Sequence, residues 1–227
     1  MCKYSGIKNK SSEVTSKNPE WNQRVSLGCM LPNQSKFIQI EVWDSDLVGS
    51  DDLIGNFKVG FASIREKPIK PRWGNLYGAP LSALENKDAE LMTLYGQDLG
   101  STYRGRIFYG LTSENVGDPK SERKDLNFKF PLNPIPQSPQ RTYLLRVDIL
   151  EGHELPEKET AIVHVAIGPY MIKSPPVKID GGRALWYEPL PDKKVVFPCE
   201  RDEIPDCIFY FADADEENRR HCFFRLK

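Results

Sequence analysis

The stretch Phe37-Ile38-Gln39-Ile40-Glu41-Val42-Trp43-Asp44-Ser45-Asp46-Leu47-Val48-Gly49-Ser50-Asp51-Asp52-Leu53-Ile54-Gly55 decides how the chain folds. Its opening residues alternate. Ile38, Ile40 and Val42 fall on one face and Gln39 and Glu41 on the other, the period of a half-buried β-strand. The strand ends in an aromatic residue, and a loop follows with carboxylates at Asp44, Asp46 and Asp52 and a neighbour at Asp51. A loop that bends between Asp46 and Asp52, helped by Gly49, aims Asp44, Asp46 and Asp52 at one point. Calcium takes about 6–8 oxygen ligands at about 2.3–2.6 Å, and carboxylates are the commonest of them. Three carboxylates with no cation among them repel one another, so such a loop favours a bound cation. The competing reading is that Asp and Ser stand here only as turn formers.

The same period recurs on both sides. Phe57, Val59 and Phe61 alternate, then Ile107, Tyr109 and Leu111. Leu145, Val147 and Ile149 follow, then Val163, Val165 and Ile167, and last the apolar run Cys207–Phe211. With eighteen prolines and sixteen glycines between them, short strands and turns predict an antiparallel β-sandwich. One helix is predicted over Leu81–Tyr95, where Leu84, Leu91 and Leu94 share a face and Pro80 suits the start. Residues 112–127 are polar and mixed in charge, and residues 131–139 hold four prolines, which favour an extended connector. The expected organisation is therefore a module over 1–111, a linker over 112–140 and a second module over 141–227. The halves echo each other: Trp21 and the run Ile40–Asp46 are matched by Trp186 and the run Phe209–Asp215.

Composition excludes several classes. Thirty-one Lys and Arg against thirty-two Asp and Glu leave a net charge of −1, without the basic excess of a general nucleic-acid binder. No apolar run approaches the roughly 18 residues of a membrane span, so this chain alone is expected to be soluble and cytosolic. Cys2, Cys29, Cys199, Cys207 and Cys222 form no C-x-x-C pair and read as free thiols. His153, His164 and His221 have no metal spacing, and no nucleophile elbow or phosphate loop occurs, so the chain is not expected to be an enzyme. His164 reads as an outward or satisfied strand residue.

The set Asn18-Pro19-Glu20-Trp21-Asn22, then the strand into Trp43-Asp44-Ser45-Asp46 with Asp52 and Leu53-Ile54-Gly55, resembles the second half of a C2 domain. Arg72-Trp-Gly-Asn-Leu-Tyr-Gly-Ala-Pro80 and Gly100-Ser-Thr-Tyr-Arg-Gly-Arg106 resemble the end of the third C2 domain of the ferlin family. Tyr143-Leu-Leu-Arg-Val147 and Ala161–Tyr170 resemble the ferlin segment that follows. The resemblance implies an all-β chain of two C2-like antiparallel β-sandwich modules, both incomplete, joined by a proline-rich linker. The first lacks its opening strands and the second is cut short at its end.

Ferlins are tail-anchored proteins of vesicle fusion and membrane repair. The resemblance therefore implies calcium-regulated binding of anionic phospholipid membranes at their cytoplasmic face, beside neighbouring domains of a larger chain and without nucleic acid. It carries Asp44, Asp46 and Asp52 over as calcium ligands. Without the aspartates of a first loop the site is incomplete, and its affinity is expected at the weak end, about 10⁻⁴–10⁻³ M. Lys3, Lys8, Lys10 and Lys17 lie on and beside the strands that carry a basic, phosphoinositide-binding face in many C2 domains; solubilising lysines are the competing reading. Leu47 and Val48 either dip into the bilayer or pack back on the module. Arg65, Lys67, Lys70 and Arg72 form a second basic stretch, expected as an exposed loop because of Pro68 and Pro71. In the second module Asp213 and Asp215 match the first, but His221 replaces the third carboxylate and the loop Glu151–Glu157 has no Asp pair, so that copy is expected to be structural. The alternative for the whole chain is a calcium-independent structural module for protein interaction.

Overall fold

The computed structural model describes residues 1–45, 51–80, 100–115, 135–156, 160–214 and 220–227. The predicted helix over Leu81–Tyr95 and most of the predicted linker lie outside the described residues. Those residues divide into two compact units, Met1–Tyr77 with Arg106–Gln137, and Gly78–Gly105 with Ser138–Lys227. The chain is nearly all β, in antiparallel sheets, and no helix among the described residues is long and apolar enough to cross a membrane.

The strands of the first sheet are β1 (Cys2–Tyr4), β2 (Ile7–Asn9), β3 (Phe37–Asp44), β4 (Asp52–Gly60), β5 (Ile69–Gly78) and β6 (Thr102–Leu111), in the order β2-β1-β3-β4-β5-β6. Ser5 and Gly6 join β1 to β2 with φ of 50° and 77°. A two-residue turn with both φ values positive matches the right-handed twist of the strands it connects. The pairing Cys2–Ile40, Ile40–Phe57 and Ile38–Val59 gathers the apolar residues on one face. Tyr4 packs against Phe61 at 4.6 Å, and Phe57 against Tyr109 at 4.9 Å. On this face Ile38, Ile40, Val42, Phe57 and Val59 are each half-buried.

Two expectations change here. The alternation Phe57-Val59-Phe61 predicts one continuous strand, but β4 stops at Gly60 and a short helix, α1 (Phe61–Glu66), begins. The spacing Phe61–Ile64 suits a helical turn, and Ile64 is the residue that turn buries. The second basic stretch is not a loop: Arg65 lies in α1, and Lys70 and Arg72 lie in β5. Pro71 is tolerated in β5 because it stands away from the β4 pairing at Asn56–Tyr77, where an amide would be needed.

The second unit holds β7 (Gln140–Leu145), β8 (Glu151–Gly152), β9 (Thr160–Ile167), β10 (Tyr170–Lys173), β11 (Val177–Lys178), β12 (Ala184–Leu185), β13 (Lys193–Pro198), β14 (Cys207–Asp213) and β15 (Arg220–Leu226). Its main sheet runs β10-β9-β14-β15, with β11 also on β9; β12 pairs β8 and β13 pairs β7. Ala161 and Val165 of β9 turn into a core with Trp186, Ala184, Phe211, Ile172 and Leu190. The opposite face of β9 is buried as well. His164 stands opposite Tyr210 and is 4% exposed, so it is an inward residue.

The alternation Leu145-Val147-Ile149 is only partly a strand, since β7 ends at Leu145. Val147 and Ile149 still pack into the core. This stretch bonds to the segment 186–190 by scattered links, Leu190 N–H to the Val147 carbonyl at 3.1 Å and the Trp186 and Tyr187 amides to the Leu150 carbonyl at 2.9 and 3.3 Å. Pro189 and Pro191 have no amide to extend those links into a ladder. All five cysteines are free thiols.

Candidate functional site

Strands β3 and β4 form a hairpin whose open end is acidic. Asp44 and Asp52 are register partners, and Val42 faces Gly55 while Trp43 faces Leu53, which leaves Ile54 as an extra residue on β4. Such a bulge adds local twist and re-aims the residues that follow it. Asp44, Asp51 and Asp52 are exposed. Directly opposed residues in an antiparallel pair have Cα atoms about 4.5–5.5 Å apart, and like charges there weaken the pairing. A cation held between Asp44 and Asp52 removes that penalty. Asp46, Leu47 and Val48 lie outside the described residues. Among the described residues no group of three or more His, Cys, Asp and Glu side chains is placed to hold a metal. The described oxygens therefore suit a hard cation in kind and fill only part of a calcium shell.

The other polar feature is a row across the sheet. Lys8 stands opposite Lys3, Lys3 opposite Gln39, and Gln39 opposite Lys58. Partners directly across strands share a face, so Lys3, Lys8 and Lys58 form one basic row. Lys58 escaped the sequence reading, although its place between Phe57 and Val59 puts it on the polar side of β4. A shallow concavity of about 240 Å³ beside the row is lined by Lys3, Lys8, Phe37 and Gln39, among others. Lys10 and Lys17 do not join it. Lys10 pairs with Glu13 at 3.5 Å, and Lys17 is exposed in the irregular segment after β2.

Lys3 also has a structural task. Its Nζ lies 2.7 Å from the carboxylate of Glu41, which is 3% exposed. Trp43 Nε1 donates to the same carboxylate at 2.7 Å, and the Lys3 ammonium stands 5.6 Å from the centre of the Trp43 ring. Replacing Lys3 by alanine leaves a buried carboxylate with a partner missing and is expected to cost about 1–3 kcal/mol in denaturant unfolding. Lys8→Ala, at an exposed position, is expected to stay within about 0.5 kcal/mol while lowering affinity for anionic vesicles about fivefold, the equivalent of about 1 kcal/mol per lysine near the surface. Equal stability losses for the two variants would refute the distinction.

In the second unit the carboxylate of Glu151, in β8, is already engaged. Glu151 accepts from Arg183 Nη2 at 2.5 Å and from the Tyr187 hydroxyl at 3.2 Å, and His153 Nε2 lies 3.2 Å away. The Arg183 hydrogen bond, followed by those of His153 and Tyr187, holds the Glu151 pKa down at about 2. A carboxyl lowered by folding stabilises the fold above its unfolded pKa, and that contribution fades as pH falls towards about 2. A carbon-13 titration of Glu151 is expected to show this low midpoint, and Arg183→Ala is expected to move it back up. An unmoved midpoint would contradict the pairing. Asp215 lies outside the described residues.

The bulged hairpin with its paired aspartates and the basic row both lie within residues 2–76, the stretch that matches the family model described as "C2 domain". The curated relatives are ferlins. The chain is 27% identical over 119 residues to Ferlin 2 of Toxoplasma gondii, covering 51% of this chain and 8% of that protein. It is 30% identical over 113 residues to Myoferlin of Mus musculus, covering 42% of this chain and 6% of that protein. The chain thus spans less than a tenth of the length of these ferlins. Among solved structures, the C2A and C2B domains of Extended-Synaptotagmin 2 align over 99% of this chain and 69% of theirs, at 15% identity and a TM-score of 0.34.

Proposed function

We propose that the chain is a calcium-regulated phospholipid-binding module of a ferlin-like protein, acting at the cytoplasmic face of membranes in trafficking, vesicle fusion or membrane repair. The observation that carries the reading is the pairing of Asp44 with Asp52 at the open end of the β3–β4 hairpin, inside the stretch that matches the C2 domain. Asp44, Asp46 and Asp52 hold the ion, and Asp51 adds negative potential beside it. Bound calcium neutralises the loop and bridges its carboxylates to lipid phosphates. Lys3 and Lys8 add attraction to an anionic surface, with Lys58 in the same row. Leu47 and Val48 meet the bilayer interface. The chain acts by binding and not by catalysis, and neighbouring domains of the longer protein are its other partners. The expected module boundaries, 1–111 and 141–227, belong to this proposal.

Co-sedimentation with phosphatidylserine vesicles, in calcium and in chelator, tests it. Sedimentation that rises with calcium supports the reading. The rival, a calcium-independent interaction module, draws on the lack of any group of three metal-binding side chains among the described residues. Equal sedimentation in calcium and chelator, with no calcium heat in calorimetry, would establish the rival instead.

A further inference from the structure

Serine followed by proline occurs twice, at Ser138-Pro139-Gln140-Arg141 and at Ser174-Pro175-Pro176-Val177-Lys178. In each a cation follows three or four residues after the serine, so the two segments read nearly alike. Their surroundings differ. Ser174 is 6% exposed, its Oγ accepts the Val163 amide at 2.9 Å and donates to the Pro175 carbonyl at 3.0 Å, and its own amide bonds the Val163 carbonyl. Reaching that hydroxyl means tearing the edge of β9. Ser138 is half-buried in a run where Pro136, Gln137, Pro139, Gln140 and Arg141 are all exposed. Its Oγ donates to a carboxylate oxygen of Glu203, and its carbonyl accepts from Gln140 Nε2 at 3.0 Å. Glu203 ends the 3-10 turn Arg201–Glu203 and is 8% exposed.

We propose that Ser138 is a phosphorylation site for a kinase that reads serine followed by proline, and that the phosphate releases residues 138–140 from the Arg201–Glu203 turn. Pro139 holds Ser138 in extended backbone, because the ring of a proline disfavours the helical conformation in the residue before it. An extended segment is the form in which a substrate lies in a kinase cleft, and engaging it means lifting Gln140 and Arg141, the exposed end of β7, from Pro198 and Phe197. Ser138 Oγ attacks the γ-phosphorus of ATP, the bond from that phosphorus to the bridging oxygen breaks, ADP leaves, and the hydroxyl proton passes to the kinase base. The product has lost the proton that Ser138 gave to Glu203 and carries a charge of about −1.5 to −2 in its place. A donor facing a buried carboxylate becomes an anion facing it, and the contact turns repulsive.

The neighbouring backbone reports the change. The Cys199 amide donates to the Pro139 carbonyl at 2.8 Å, where β7 meets β13 at the Gln140–Pro198 pair. Opening at Ser138 exposes that amide. The Val163 amide, held by Ser174, lies outside the latch.

The full chain is treated with a proline-directed kinase and magnesium ATP, and the product is mapped by peptide fragmentation. One phosphoryl group is expected, on Ser138, and none in Ser138→Ala. Hydrogen exchange of the Cys199 amide is expected to quicken about tenfold in the phosphorylated chain with Val163 unchanged. Ser138→Ala, which removes the hydrogen bond without adding charge, is expected to quicken it less. Phosphate on Ser174 in the folded chain, or none on Ser138, overturns the site. Phosphate on Ser138 with unchanged exchange at Cys199 overturns the release.

Discussion

Asp44→Asn combined with Asp46→Asn is expected to abolish the calcium-dependent part of vesicle sedimentation and to leave the calcium-independent part intact. Asparagine keeps the size and one acceptor oxygen of aspartate and removes its charge, so the hairpin keeps its shape. At about 4 Å and an effective dielectric of about 20, a pair of unit charges interacts by about 4 kcal/mol. Losing two such terms far exceeds the 1.4 kcal/mol that corresponds to a tenfold change in affinity. Removing one of two facing carboxylates also relieves the repulsion between Asp44 and Asp52, so the variant is expected to be no less stable than the parent. A double variant that still sediments in a calcium-dependent way would place the site elsewhere and end the proposal for these residues.

Trp186→Ala is expected to destabilise the second unit by about 3–5 kcal/mol, the range for truncating a large buried aromatic. Trp186 is 6% exposed and packs with Ala161, Ile179, Ala184 and Phe211. Its indole Nε1 donates to the Pro175 carbonyl at 3.2 Å. That carbonyl also accepts from Ser174 Oγ, so the substitution leaves no orphaned acceptor and the cavity accounts for most of the cost. Against a domain stability of about 5–15 kcal/mol the loss is large. Denaturant unfolding followed at amides of β9 and β14 measures it. A loss below about 1 kcal/mol would mean that Trp186 does not sit in the core described here. The matching Trp21 lies in the irregular segment before β3 and is half-buried, so the sequence echo between Trp21 and Trp186 does not extend to burial.

Much of the fold was legible because strand residues report which face of the sheet they stand on. Each side chain on a strand faces one side or the other, so the alternation of Ile38, Ile40 and Val42, or of Val163, Val165 and Ile167, is written in consecutive residues. The acidic loop was legible for the same reason: Asp44 to Asp52 is one short segment. The failures have local causes. Phe61 satisfied the period of a strand and of a helix at once, and the burial of Ile64 settled which applied. Leu145-Val147-Ile149 alternated correctly, but two prolines on the facing segment denied it a ladder. Pro71 resembled a loop residue because its distance from the β4 pairing at Asn56–Tyr77 cannot be recognised without the neighbouring strand.

The sequence by itself determined that the chain is built of β-strands, that the hairpin after Trp43 is acidic, and that basic residues lie along the opening strands. Only the tertiary structure decided which of those charges meet. Lys3 joins Lys8 and Lys58 in one row, yet is tied to the buried Glu41 thirty-eight residues on. Glu151, in the copy expected to be structural, is taken by Arg183. Of the two Ser-Pro hydroxyls one is sealed against the Val163 amide of β9 and the other donates to the Glu203 carboxylate beside the exposed residues 136–137 and 139–141. Each is a matter of register and packing between distant segments, set by the free energy of the whole sheet, and a local pattern holds no record of it.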